Sequence, residues 1–258
     1  LFMFANYHTH TARCHHATGE DKAYVEAAIQ NGFQVLGFSD HCPWIFSDGY
    51  VSPIRMTPDE LDGYVTSLTA LKKEYAADIT IYIGLESEYV PEMLPEQQKF
   101  LQDYPIDYQI LGEHFLYPEQ RGIYTGKPTD DAAELKHYVD QVIAGMETGN
   151  YLYLAHPDLF HFIGDPALYE QEFRRLCVYL KEKQIPIEIN QLGLADHRQY
   201  PNPAFLKIAE SVGNTAIIGC DAHHPSALLD TDSQQACKKL AEQYHLPLVE
   251  VFPPGIVN

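Results

Sequence analysis

Short apolar runs rich in β-branched and aromatic residues recur along the chain: FMFANY (2–7), QVLGFS (34–39), ITIYIGL (79–85), YQILGE (108–113), YLYLAH (151–156), IPIEIN (185–190) and TAIIGC (215–220). Each is followed by a turn or loop and then by a longer amphipathic stretch. Strand-like runs alternating with helical ones predict parallel βαβ units, because a parallel sheet needs a crossover helix between neighbours. Seven such units, or eight if LPLVEV (246–251) closes the set, suit a (β/α) barrel better than an open sheet. Helix signals fill the gaps. Thr57-Pro58-Asp59-Glu60 combines an N-cap, a first-turn proline and a capping-box glutamate, and the helical pattern after it runs to about Ala77. Thr129-Asp130-Asp131 opens another helix that ends near Gly149, and Glu20 to Asn31 closes at Gly32.

The segments after the strands are uneven. Those at 42–56, 115–128, 157–165 and 191–202 are long and rich in aromatic residues, proline and glycine. In a (β/α) barrel these loops share the C-terminal face of the strands, where chemistry is placed. Across all 258 residues no repeat, low-complexity tract or flexible linker interrupts the pattern, so a single domain covering 1–258 is expected. No apolar run reaches the roughly 20 residues needed to cross a bilayer, and the N-terminus lacks the marks of a signal peptide. A cytoplasmic protein without membrane contact is expected.

Charge narrows the choice of partner. Against 36 acidic side chains stand 17 basic ones, a formal charge of −19. Such a surface repels polyanions, which argues against nucleic acid and for a small-molecule substrate. The five cysteines (14, 42, 177, 220, 237) form no C-x-x-C pair, so reduced thiols are expected rather than disulfides or a zinc knuckle.

The thirteen histidines are what changes the picture. Strand ends carry His8-Thr9-His10, Asp40-His41, Glu86-Ser87-Glu88, Glu113-His114, His156 and Asp221-Ala222-His223. On an extended chain residues i and i+2 share a face, so His8 can aim with His10, and Asp221 with His223, at one point. Zinc, iron and manganese accept mixed imidazole and carboxylate donors. His15 and His16 compete for one further role. His137 and His245 are expected on helical surfaces, and His161, His197 and His224 in loops without ligand roles.

The ordered set "HTH", "FSDH", "GLE.E", "LGEH", "AHPD" and "CDAHH" resembles the polymerase and histidinol phosphatase (PHP) superfamily, over about residues 7–225. Within it, "YHTHT..C.HATG", "GFSDH.P", "ILGEHFL" and "IEIN..GL" look like the histidinol-phosphate phosphatase branch. The resemblance implies an α/β fold, a distorted (β/α)7 TIM-like barrel with its metal site at the C-terminal ends of the strands, and LPLVEV as an added segment. It implies three divalent ions, zinc, iron or manganese: one on His8, His10, Glu86 and Asp221, a second on Glu86, His114 and His156, and a third on His16, His41 and His223. His16 rather than His15 matches the donor of the family's C-x-H-A-x-G arrangement.

The reaction implied is hydrolysis of L-histidinol phosphate to L-histidinol and phosphate, a step of histidine biosynthesis. Glu86, Asp221 and His223 would stand at the reacting centre. A carboxylate-bridged pair of cations can hold a hydroxide, lowering the pKa of water from 15.7 toward about 7, while a third cation binds phosphate oxygens. Neither a G-x-S-x-G elbow nor a P-loop is present. Arg198 and Arg55 are the candidate phosphate clamps. Trp44, Glu88, Glu113, Phe115 and Asp158 are candidates for holding the substrate's amine and imidazole, although Glu113 and Asp40 could instead orient the neighbouring histidines. The competing readings are a PHP-type phosphodiesterase or exonuclease, an amidohydrolase, whose metals are commonly bridged by a modified lysine, and a non-catalytic metal-binding scaffold.

Overall fold

The computed structural model describes residues 3–252, so Phe2 of the first predicted strand lies outside the described residues. The chain divides into two compact units. The first draws on Leu1–Ile110, Cys220–Asp232 and Glu250–Asn258, the second on Leu111–Gly219 and Ser233–Val249.

The strands β1 (Ala5–Asn6), β2 (Val35–His41), β3 (Thr80–Ser87) and β4 (Tyr108–Leu111) form one sheet in that order, all within the first unit but for Leu111, the last residue of β4. β1 pairs parallel to β2, and β2 parallel to β3. Every residue of β2 is buried, as is β3 from Ile83 onward, the signature of a sheet covered on both faces. The β2–β3 register runs without a break from Val35 opposite Thr80 to His41 opposite Glu86. Two ligand-type side chains therefore leave the sheet at the same rim. Below them the Tyr108 hydroxyl donates to the carbonyls of Tyr7 (2.7 Å) and Phe38 (3.1 Å). Its ring occupies the space that a Cβ at Gly37 or Gly84 would need, so glycine at those two positions lets the phenol fill the interior.

Helices α1 (Asp21–Gln30), α2 (Leu61–Glu74) and α3 (Leu94–Leu101) complete this unit. The predicted capping box at Thr57 and Glu60 is formed, on a short 3-10 turn that leads into α2. The helix stops three residues short of Ala77. After β1 the chain continues beside Cys220–His223: Thr9 bridges Ala222 in parallel, and Asn6 Oδ1 accepts from Cys220 N at 2.9 Å.

The second unit contains α4 (Ala132–Glu147), α5 (Pro166–Glu182), β5 (Ile187–Asn190), α6 (Gln191–Ala195), α7 (Pro203–Val212), β6 (Ala216–Gly219) and α8 (Thr231–Gln243), the last starting at the boundary. β5 and β6 are parallel. Asp131, as predicted, caps α4 by accepting from Ala133 N. The run YLYLAH forms no strand. Leu154 makes single bridges to Leu111 and Ile187, and the ladder ends because His156 turns to φ 27° and is followed by proline. LPLVEV likewise contributes one bridge, Leu248 to Ala216. The core gathers Tyr138, Phe160, Phe173 and Phe205; Tyr138 stacks on Phe160 at 4.9 Å. All five cysteines are free and buried. Among the described residues no helix is long and apolar enough to cross a membrane.

Candidate metal centre

His8 and His10 follow β1 with Thr9 between them, and the alternation of an extended chain sends both rings the same way. His8 Nε2 lies 3.4 Å from Asp221 Oδ1 and 3.5 Å from Glu86 Oε2. His10 Nε2 lies 3.1 and 3.5 Å from the same two oxygens. The Nδ1 of His41 is 3.2 Å from Glu86 Oε2. These side chains are almost entirely buried. Donors held about 2.1 Å from a zinc ion at tetrahedral angles stand about 3.4 Å apart, so the spacing fits a shared cation.

A second gathering adjoins the first. His16 Nδ1 donates to the Cys14 carbonyl (2.7 Å), and His223 Nδ1 faces the Asp221 carbonyl (3.0 Å). A carbonyl only accepts, so both Nδ1 atoms carry the hydrogen and both Nε2 atoms present lone pairs. Those two Nε2 atoms face each other at 3.0 Å, an arrangement that needs a proton or a cation between them. The ligand atoms of His16, His41 and His223 lie within 4.8 Å of one another. The chemistry of both donor sets therefore suits divalent cations.

The electrostatics agree. Burial opposes charge on His10, yet Asp221 and Asp40 raise its pKa well above the ordinary value. Burial likewise works against ionised Asp221, but His8, His10 and His223 pull its carboxyl well below the usual range. His223 is pushed down to about 3 by burial and by His10, which keeps it neutral and able to act as a donor. Without cations such a cluster must hold protons; metal binding displaces them.

His15 stands apart from the cluster, with Nε2 3.3 Å from Glu60 Oε2 at the surface. Cys14 is the residue that the spacing argument missed: its sulfur falls within 4.8 Å of donor atoms of His10 and His223. Only its place inside the histidine-rich loop could have signalled this. Arg55 is 1% exposed and grips Glu88 through both terminal nitrogens (3.0 and 2.9 Å), and Trp44 Nε1 donates to the same carboxylate at 3.1 Å. The guanidinium of Arg55 is thus already committed to a buried carboxylate.

In the second unit the rings of His114 and His156 lie 5.0 Å apart. Glu113 Oε1 accepts from Gln141 at 2.9 Å. Glu188 Oε2 accepts from the backbone N–H of His156 and from Asn190 Nδ2, both at 2.9 Å, while Tyr153 donates to Glu188 Oε1 at 3.2 Å. Burial pushes the Asp158 carboxyl up to about 7, against the pull of the Asn202 N–H. Arg198 is partly exposed: its side chain is 39% exposed, 2.8 Å from Asp196 and 3.2 Å from the Tyr200 hydroxyl.

Fold and donor set together define an α/β protein of parallel strands whose first unit gathers buried imidazoles and carboxylates that could hold a metal ion. The PHP domain model matches residues 6–192, and the chain belongs to that family. A "probable histidinol-phosphatase" of Deinococcus radiodurans is 27% identical over 228 residues, 84% of this chain and 85% of that protein. The histidinol-phosphatase of Bacillus subtilis is 34% identical over 115 residues, 42% of this chain and 43% of the other. Among solved structures, histidinol phosphate phosphatase of Lactococcus lactis in complex with zinc, L-histidinol and phosphate superposes with a TM-score of 0.71. That likeness, at 19% identity, covers 96% of this chain and 95% of the other.

Proposed function

We propose that this protein is a metal-dependent phosphomonoesterase that hydrolyses L-histidinol phosphate to L-histidinol and inorganic phosphate. The observation that carries the reading is Glu86 Oε2 faced by imidazole nitrogens of His8, His10 and His41 at 3.2 to 3.5 Å. The relatives named above supply the substrate. The reading includes three cations, of zinc, iron or manganese, held by His8, His10, Glu86 and Asp221, by Glu86, His114 and His156, and by His16, His41 and His223. It also includes a distorted (β/α)7 barrel forming one domain over 1–258, in a cytoplasmic enzyme that takes a small phosphate ester and no nucleic acid.

Bound divalent cations would supply Lewis acidity, acidifying water toward a pKa of about 7 and neutralising phosphate charge. The chain's own part is to hold those charges in place. Glu86 and Asp221 bring the negative charge that offsets a multi-cation centre, and the buried histidines bring neutral donors that exclude bulk water. His223 is assigned to the reacting centre with them. Arg198, exposed on its loop, is the guanidinium assigned to the phosphoryl oxygens. Glu113 and Trp44 are assigned to the amine and imidazole of the substrate. Arg55 is the second phosphate candidate, and both it and Trp44 bond to Glu88.

A direct test is turnover of histidinol phosphate, unrelated phosphomonoesters, an oligonucleotide and an amide panel by metal-replete protein. A strong preference for histidinol phosphate is expected. Hydrolysis of the oligonucleotide or of amides in its place would overturn the assignment.

A further inference from the structure

We propose that Asp40 is a positioning residue that ties two cation sites together, holding the imidazole of one donor group and the backbone of another on a single carboxylate. The inference rests on the metal-centre reading above and extends it. Asp40 is the penultimate residue of β2 and is fully buried. Its Oδ1 lies 3.3 Å from His10 Nδ1 and accepts from the backbone N–H of His41 at 2.8 Å. Its Oδ2 accepts from Thr11 N at 3.1 Å and from the Thr11 hydroxyl.

An ionised carboxylate only accepts. His10 therefore carries a hydrogen on Nδ1, which leaves Nε2, 3.1 Å from Asp221 and 3.5 Å from Glu86, as the nitrogen whose proton a cation would displace. The same Oδ1 fixes the backbone from which the His41 ring departs. That ring belongs to the group with His16 and His223 as well as facing Glu86 beside His10. One buried carboxylate thus sets the tautomer of a donor in the first group and the origin of a donor in the second. A disturbance of Asp40 has no way to reach one group without the other. Asn would preserve the shape, but its Nδ2 would meet the Thr11 N–H with two donors facing each other.

Outer partners of metal-bound histidines change metal affinity by about 10- to 100-fold when removed. The test is a titration of chelator-stripped protein with cobalt(II), read by its visible absorption and by competition against a chromophoric chelator. Asp40→Asn is expected to weaken binding about 10- to 100-fold in both groups at once. His16→Ala is expected to weaken one group only and so gives the single-site reference. Wild-type affinities in Asp40→Asn, or a loss confined to one group, would overturn the proposal. Near-UV circular dichroism and thermal unfolding of the stripped proteins separate a folding defect from a positioning one. If Asp40→Asn does not fold, Thr11→Val carries the test: a smaller, few-fold weakening in both groups supports the coupling, and wild-type binding refutes it. Failure of the wild-type protein itself to bind cobalt would refute the metal-centre reading instead, a result distinct from either variant's.

Discussion

The first unit's rim and the second unit's His156 segment present ligand-type side chains by opposite means. In the first, seven continuous registered pairs carry the chain from Val35 to His41 opposite Thr80 to Glu86, and the backbone ladder itself delivers the side chains to the edge. In the second, Leu154 has single bridges on either side, and the chain then turns at His156 with φ 27°. Here a side chain replaces the ladder: Glu188 takes the His156 N–H that a regular strand would have paired. A left-handed backbone costs a non-glycine residue about 1–3 kcal/mol and persists where its surroundings hold it. Placement by register needs no dedicated residue, whereas placement by a buried carboxylate concentrates the whole arrangement on one position.

The largest effect is expected at the registered rim. Glu86→Gln keeps the size of the side chain but removes the charge faced by His8, His10 and His41. We expect kcat to fall by at least about 10³, equivalent to about 4 kcal/mol, with the fold unchanged by circular dichroism. A near-normal rate at full metal loading would show that Glu86 does not organise the reacting centre.

The next expectation concerns the arginines, which the two units use differently. Arg55→Ala would leave Glu88 buried beside Trp44 with its bidentate partner gone. Breaking a buried pair in this way costs about 3 kcal/mol, to be read in denaturant unfolding of the metal-stripped protein. A loss below about 1 kcal/mol, as for an exposed pair, would mean that water reaches Glu88.

The contrast also explains what could be read from the sequence. His8 and His10 were legible because the i, i+2 rule of an extended chain acts locally, and Glu86 because it ends a strongly apolar run; Asp221 and His223 were paired by the same rule, although the backbone at Asp221 turns to φ 49°. The capping box at Thr57 and Glu60 was legible for the same local reason. Missing from the pattern was the irregular backbone of YLYLAH, whose apolar alternation reads as a strand but whose path is set by a carboxylate 32 residues away in sequence. Arg55 was equally opaque. Nothing near it in the chain announces Glu88, 33 positions later, so a loop arginine looked free to meet phosphate.

Glu188→Gln probes the second unit's device directly. The glutamine has one acceptor oxygen where Glu188 uses two, for His156 N, Asn190 Nδ2 and Tyr153. Leaving one buried donor unsatisfied costs about 2 kcal/mol. Denaturant unfolding of the stripped protein should report that loss. If stability is unchanged, the backbone at His156 is held by something other than this carboxylate, and the contrast between the units dissolves.

The smallest expected effect belongs to Arg198. Its side chain is 39% exposed, and Asp196, its partner at 2.8 Å, is 50% exposed, so water screens the pair and Arg198→Ala should change stability by less than about 1 kcal/mol. Its influence should fall on ligand binding. Removing this phosphate-directed guanidinium should raise the inhibition constant for inorganic phosphate several-fold, since a charge-assisted hydrogen bond at an exposed position is worth about 1 kcal/mol. Unchanged phosphate inhibition would detach Arg198 from the site, whereas a stability loss comparable to that of Arg55→Ala would place it with the buried, structural arginine.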